Sequence, residues 1–257
     1  AGPARPAGRR GDAHRAPHGA ARRAGGRGRR DDGAAPHHQH PGGGQRGGAL
    51  RRAQQQRPDA RQGDLMQALV PALQHPPELL LQAQGIRVAF FDVDGVLTDG
   101  GLYFSESGES LKRFSVLDGQ GLKLLQQAGI TPVVITGRDS APLRLRMKAL
   151  GITHARFGTE DKRPAAEAFL AELGLDWTQA AAMGDDWPDL PVMQRVAFAC
   201  APANAHAQNK AIAHHVTAER GGEGAARAFC DLLLVAGGHY ARLLGQVGIS
   251  DHKGPSA

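Results

Sequence analysis

Two carboxylates one residue apart, at the end of an apolar run, constrain this chain more than any other feature. Val88-Ala89-Phe90-Phe91 leads straight into Asp92-Val93-Asp94-Gly95. A continuous apolar run of this length reads as a buried strand, so both aspartates fall where that strand leaves its sheet. Side chains alternate along extended backbone, so Asp92 and Asp94 point the same way if the extended geometry persists past the strand. Two like charges crowded there are costly unless a cation neutralises them. A divalent metal together with a phosphate meets that need. A calcium loop of the EF-hand type would place a Glu at its twelfth position. Counted from Asp92 that position is Tyr103, which excludes it.

The folded part of the chain begins near residue 66. Residues 1–64 hold one large apolar residue, Leu50, and no Phe, Tyr or Trp. Such a segment cannot bury enough apolar surface to offset its ordering entropy, so residues 1–65 are expected to be a disordered Ala/Gly/Arg-rich extension. With 14 Arg, no Lys and 5 Asp, residues 1–64 carry +9, against +6 for the whole chain, which leaves −3 on residues 65–257. The basic character therefore belongs to the extension. A basic arm is chemistry for a nucleic acid or an anionic surface. The same composition is what a GC-rich reading frame yields without selection, and Met66 is the first methionine. We expect the extension to be dispensable, the natural start to lie near Met66, and nucleic acid not to be the partner. His37, His38 and His40 form only a flexible cluster. The extension lacks the apolar core of a signal peptide and the serines of a transit peptide. Cys200 and Cys230 form no zinc spacing and no disulfide framework, which fits a cytoplasmic protein. No apolar stretch reaches the ~18–20 residues that span a bilayer.

From Ile86 onward the pattern alternates. Strands are expected at Ile86–Phe91, Thr131–Thr136, His154–Phe157, Ala180–Met183, Val196–Cys200 and His215–Val216. A β-hairpin is expected over residues 101–116, with its turn at Ser105–Glu109 and its return arm at Leu111–Val116. Helices follow Asp118-Gly119, Asp139-Ser140 (an N-cap signal, with Pro142 in the first turn) and Asp161-Lys162. Gly151 and Gly174 close the second and third of these. Strands separated by helices of ten or so residues predict a doubly wound, Rossmann-like parallel α/β sheet, here with a hairpin flap.

In such sheets ligands bind beyond the carboxyl ends of the strands. Four polar clusters fall there: Asp92/Asp94, Thr136-Gly137-Arg138, Asp161-Lys162 and Gly184-Asp185-Asp186. Singly, each reads equally well as a turn or a cap. In this order, the set resembles the haloacid dehalogenase superfamily of phosphatases, whose signature runs DxDG, Thr or Ser, Lys, then an acidic pair. Asp92 to Thr136 spans 44 residues and Thr136 to Lys162 spans 26, which leaves no room for a cap domain at either customary place.

The resemblance implies a mechanism. Asp92 would be the nucleophile, and Asp94 the general acid and base. Lys162 would balance charge. Thr136, with the backbone N–H groups of Val93, Asp94 and Gly137, would hold the phosphoryl oxygens. Mg²⁺ would be held by Asp92, the main-chain carbonyl of Asp94, and Asp185, with Asp186 and Asp189 as supporting groups behind these ligands. Within the superfamily, Phe114–Gly121, Ile135–Ser140, Leu150–Gly158, Gly184–Met193 and Val216–Leu234 resemble the capless 3-deoxy-D-manno-octulosonate 8-phosphate phosphatases. That resemblance implies a homotetramer serving lipopolysaccharide synthesis. It also implies a substrate carboxylate held by Arg138 and Arg146, whereas Arg144 and Lys148 read as surface charge. A C-terminal tail reaching a neighbouring subunit's site is implied too. Leu117, Glu223, Trp187 and Leu190 depart from that family's usual residues near the substrate. A nine-carbon sugar-acid phosphate is the runner-up substrate.

Overall fold

A computed structural model of the chain describes residues 71–248. The basic extension and the last nine residues, 249–257, lie outside the described residues, as do the expectations about them. In chain order the elements are α1 (Pro77–Gln82), β1 (Val88–Phe91), β2 (Tyr103–Ser105), β3 (Gly108–Leu111), α2 (Val116–Ala128), β4 (Thr131–Ile135), α3 (Ala141–Leu150), β5 (His154–Arg156), α4 (Lys162–Leu173), β6 (Ala180–Met183), α5 (Leu190–Met193), β7 (Phe198–Ala201), α6 (Ala207–Ile212), β8 (His215–Val216), α7 (Ala225–Ala236) and α8 (Tyr240–Gly248).

Six parallel strands pair in the order β5-β4-β1-β6-β7-β8, and β2 with β3 makes a separate antiparallel hairpin. This is the doubly wound sheet expected. β1 sits in the middle, with Phe91 opposite Val134 on one side and Met183 on the other. The strand order turns back at β1, and a crevice opens at the carboxyl end of such a switch point.

Alternation along each strand sorts the core onto two faces. Ala89, Phe91, Val134, Ala181, Met183 and Cys200 face α2, α3 and α7, where Leu122, Leu143 and Phe229 complete one cluster. Phe90, Val133, Ile135, Ala182 and Ala199 face α4 and α5, packing against Phe169, Leu170, Val192 and Met193. Each fully buried side chain of this size contributes about 1.5–3 kcal/mol. Phe91 and Phe229 meet edge-on with ring centres 5.5 Å apart. Gly129, Gly151 and Gly174 end α2, α3 and α4 at positive φ, the left-handed conformation that favours glycine.

Some boundaries differ from expectation. β3 begins at Gly108, so the hairpin turn is the two residues Glu106-Ser107 and not Ser105–Glu109. Val116 starts α2 instead of ending a strand, because Ser115 caps that helix by accepting the Asp118 N–H. Asp118-Gly119 therefore lie inside α2, not before it. Ser140 stands at the N-cap of α3 but makes no side-chain capping bond. The two intervals between the motifs hold only the hairpin, α2 and β4, and then α3 with β5, so neither contains a cap domain.

Candidate active site

β1 delivers Asp92 at its last step, where the Asp92 N–H still donates to Met183 O of β6 at 3.1 Å. There the extended geometry stops. Leu97 and Thr98 each donate their N–H to Val93 O at 2.9 Å, curling residues 93–98 into a tight turn. The Thr98 hydroxyl donates to Val93 O and accepts from Gly95 N–H, pinning the turn from inside. The expectation that Asp92 and Asp94 point the same way is corrected by this curl. Asp92 engages Lys162, whereas Asp94 engages Lys112 of the hairpin arm.

Lys162, the first residue of α4, reaches into the crevice. Its ammonium lies 2.5 Å from Asp92 Oδ1 and 2.5 Å from Asp189 Oδ1, with all three side chains out of solvent. Asp189 Oδ2 accepts the N–H groups of Asp185 and Asp186 at 3.0 and 3.3 Å. Gly184 makes that possible, because a Cβ there would overlap the Asp189 carboxyl. Asp189 thus holds the β6 loop in shape while sharing the lysine. Asp186 is exposed and instead accepts from Trp187 N–H at 2.8 Å, capping the short turn that follows.

Asp92, Asp185 and Asp189 offer carboxylate oxygens that all lie within 4.8 Å of one another. Gly95, at φ 101°, leaves the space that the Asp185 carboxyl occupies. Three carboxylates face one ammonium, and the electrostatics show the excess. Burial, the like charge of Asp189 and the incomplete relief from Lys162 push Asp92 up to about 7. Burial, then Asp92 and Asp189, push Asp185 up to about 8. Burial works against the Lys162 ammonium, but Asp92 and Asp189 outweigh it and hold Lys162 above its ordinary value. An all-oxygen donor set with surplus negative charge fits a hard divalent cation such as Mg²⁺.

Thr136 is buried at the end of β4, its hydroxyl accepting the Arg138 N–H at 3.2 Å. Gly137 and Arg138 are exposed at the rim. Arg138 Nε lies 3.8 Å from Asp94 Oδ2. Arg146 is engaged elsewhere: it donates to Ser115 O at 3.0 Å and lies over the Phe114 ring. Arg144 pairs with Asp139 at 2.6 Å on the surface.

Two participants, Lys112 and Glu109, carry no functional signal in the sequence. Both come from the hairpin, where a lone lysine sits in a polar arm. Gly221 and Gly222 press against the first-motif turn: Gly222 donates to Val96 O at 2.9 Å, and a Cβ on Gly221 would overlap Gly95 O. The Gly-Gly pair is a visible cue for such a close backbone approach.

Comparison with known proteins places this geometry. Residues 158–229 match the haloacid dehalogenase-like hydrolase family model. The chain is 42% identical over 173 residues to 3-deoxy-D-manno-octulosonate 8-phosphate phosphatase KdsC of Yersinia pestis, covering 67% of this chain and 91% of that protein. The chain belongs to the 3-deoxy-D-manno-octulosonate 8-phosphate phosphatase family. The Escherichia coli K12 member of the family is 40% identical over 169 residues, or 66% of this chain and 90% of that one. The family member from Moraxella catarrhalis, solved with magnesium, phosphate and KDO, superposes with a TM-score of 0.65 at 36% identity, over 67% of this chain and 99% of that one. The segment matched by the family model holds Lys162, Asp185 and Asp189 of the crevice.

Proposed function

We propose that this chain is a Mg²⁺-dependent phosphatase hydrolysing 3-deoxy-D-manno-octulosonate 8-phosphate to the free sugar acid and phosphate. The observation that carries the reading is the buried Asp92–Lys162–Asp189 contact beside Asp185, at the carboxyl end of the central strand. Asp92, Asp185 and the Asp94 main-chain carbonyl would hold Mg²⁺, which would supply positive charge against the phosphoryl group and ease its repulsion of the attacking carboxylate.

Phosphoryl transfer needs positioning and charge balance more than covalent novelty. An Asp92 oxygen attacks phosphorus; the P–O bond to Asp92 forms as the P–O bond to the sugar breaks. Asp94 gives a proton to the departing alkoxide. It then takes one from water, which attacks the same phosphorus and releases phosphate from Asp92. Lys162 offsets the Asp92 charge throughout and holds the carboxylate in place. The Thr136 hydroxyl and the N–H groups of Val93, Asp94 and Gly137 accommodate the phosphoryl oxygens. Arg138, exposed at the rim and close to Asp94, suits the carboxylate of a sugar acid. Arg146 would serve the substrate only after leaving Ser115 O.

We further propose a homotetramer in the cytoplasm. Tyr103, Phe104 and Leu111 on the hairpin and Val116 and Leu117 at the start of α2 leave apolar surface exposed beside an uncapped crevice. Among the described residues, no helix is long and apolar enough to cross a membrane. Cys200 and Cys230 are both free thiols.

The test is phosphate release from eight- and nine-carbon sugar-acid phosphates, simple sugar phosphates and p-nitrophenyl phosphate, with and without Mg²⁺. The expected result is metal-dependent turnover fastest on the eight-carbon substrate and lost in Asp92→Asn. Faster turnover of the nine-carbon phosphate would move the assignment to that sugar acid. Native turnover by Asp92→Asn would end the phosphatase reading as written.

A further inference from the structure

Lys112 has no task in the reaction scheme above. It follows β3 directly, and its side chain is wholly out of solvent. Its ammonium pairs with Asp94 Oδ1 and lies 3.0 Å from Glu109 Oε1. One cation thus sits between a carboxylate of the first-motif turn and a carboxylate of the hairpin. The other Asp94 oxygen lies 3.8 Å from Arg138 Nε. Two residues beyond Lys112, Phe114 bridges to Thr98 and fastens the hairpin base to the end of the same turn.

A buried ion pair is a poor means of gaining stability. Taking an ammonium out of water is costly, and apolar residues of similar volume are often as stable or more so. Fixing a four-carbon side chain also gives up rotamer freedom. What the contact does supply is direction. Asp94 is half-buried at the lip of the crevice, and without a partner its carboxylate is free to swing toward solvent. Anchoring Oδ1 on Lys112 leaves Oδ2 facing Arg138 and the rim, where a leaving oxygen or an attacking water would stand.

Resting on the phosphatase reading, the geometry points to Lys112 as a positioning residue. It fixes the orientation of the Asp94 carboxylate and ties that orientation to the seating of the hairpin on the first-motif turn. Proton transfer is then aimed only while the hairpin is down. Glu109 completes the device by holding the ammonium from the hairpin side.

The experiment uses the full chain with Mg²⁺ and four variants: Lys112→Met/Glu109→Gln, which leaves no unpaired hairpin carboxylate, Lys112→Arg, Asp94→Asn, and Asp94→Asn/Lys112→Met. With p-nitrophenyl phosphate the leaving group departs as a stable phenolate, so phosphorylation of Asp92 needs no proton from Asp94, whereas release by water needs Asp94 as base. The neutral double variant is expected to give a fast burst of about one p-nitrophenolate per site, followed by turnover slowed at least about tenfold. On the sugar-acid phosphate both steps slow, kcat falls by a similar or larger factor, and KM moves less than about twofold. Lys112→Arg, which keeps the cation, is expected to recover most of kcat. In the Asp94→Asn background, Lys112→Met is expected to change kcat by less than about twofold, because its effect passes through Asp94. Burst and turnover falling together, losses that add in the Asp94→Asn background, or native turnover in the neutral double variant would each overturn the inference. Asp92→Asn is the separate control: if it still turns over phosphoesters, the nucleophile assignment fails however Lys112 behaves.

Discussion

The carboxylate of Asp118, in the first turn of α2, accepts the main-chain N–H of Arg227 at 2.8 Å and so closes the amino end of α7 from a different helix. It also faces the N–H groups of Gly224 and Ala226. α7 needs this help, since its own N-cap, Gly224, has no side chain to offer. Asp118→Ala is expected to cost about 1–2 kcal/mol, the usual worth of an N-cap. Urea unfolding should show a lower midpoint at an unchanged slope. An unaltered midpoint would mean that α7 starts without this cap.

Gly95 combines a positive φ with the space taken by the Asp185 carboxyl. Gly95→Ala is therefore expected to displace Asp185 and the turn together. Turnover should fall at least about 100-fold, as small displacements of reacting groups do. A titration of activity with Mg²⁺ should show weaker metal binding, and retention of native metal affinity would contradict the geometry.

The raised Asp92 and Asp185 carboxyls set a pH dependence for the metal-free chain. Their ordinary value is 3.8; in the folded chain burial and the neighbouring carboxylates push them up to about 7 and about 8. Between these limits the folded chain holds more protons than the unfolded one, so its stability falls as pH rises. The contribution is fully present below about pH 4 and gone once both groups have ionised. Magnesium takes the ionised carboxylates, so its stabilisation runs the other way. Melting temperatures in EDTA and in Mg²⁺ should diverge from pH 5 to pH 9. A constant gap would show that these two groups do not hold the ion.

Cys200 and Cys230 are fully buried, and burial pushes both thiols up. The thiolate is the reactive form. A thiol reagent at pH 8 should therefore modify neither cysteine in the native chain and both after denaturation. Rapid native labelling would reveal opening of the α2–α7 face.

Phe104, 63% exposed at the hairpin, is a test of assembly. Phe104→Asp should lower the mass seen by sedimentation velocity if that surface joins subunits, and should leave it unchanged if another face does.

The sheet was legible because apolar runs and helical spacing are properties of contiguous residues. Ala180–Met183 and His215–Val216 were read to the residue, and the α3 and α4 ends followed from Gly151 and Gly174. The hairpin differs from expectation where the chain departs from regular geometry: Ser115, expected in the return arm Leu111–Val116, caps α2 with its hydroxyl. In the site, Asp92, Lys162 and Asp185 announced themselves by order and spacing. The sharing of Lys162 between Asp92 and Asp189 did not, since a lysine's reach across the crevice depends on where α4 docks on the sheet. Lys112 was invisible for the same reason: its meaning lies in the partner that the fold brings to it.

The central position of β1 has a consequence for synthesis. Val88 pairs with Thr131 on one side but with Ala180 on the other, and the lysine and acidic groups around Asp92 arrive only with α4 and the loop after β6. A growing polypeptide on the ribosome would carry Asp92 through a further 97 residues, up to Asp189, without the neighbours that surround it in the folded chain. Any truncated product ending before Asp189 should thus be inert toward phosphoesters, however well its first strands and helices have formed.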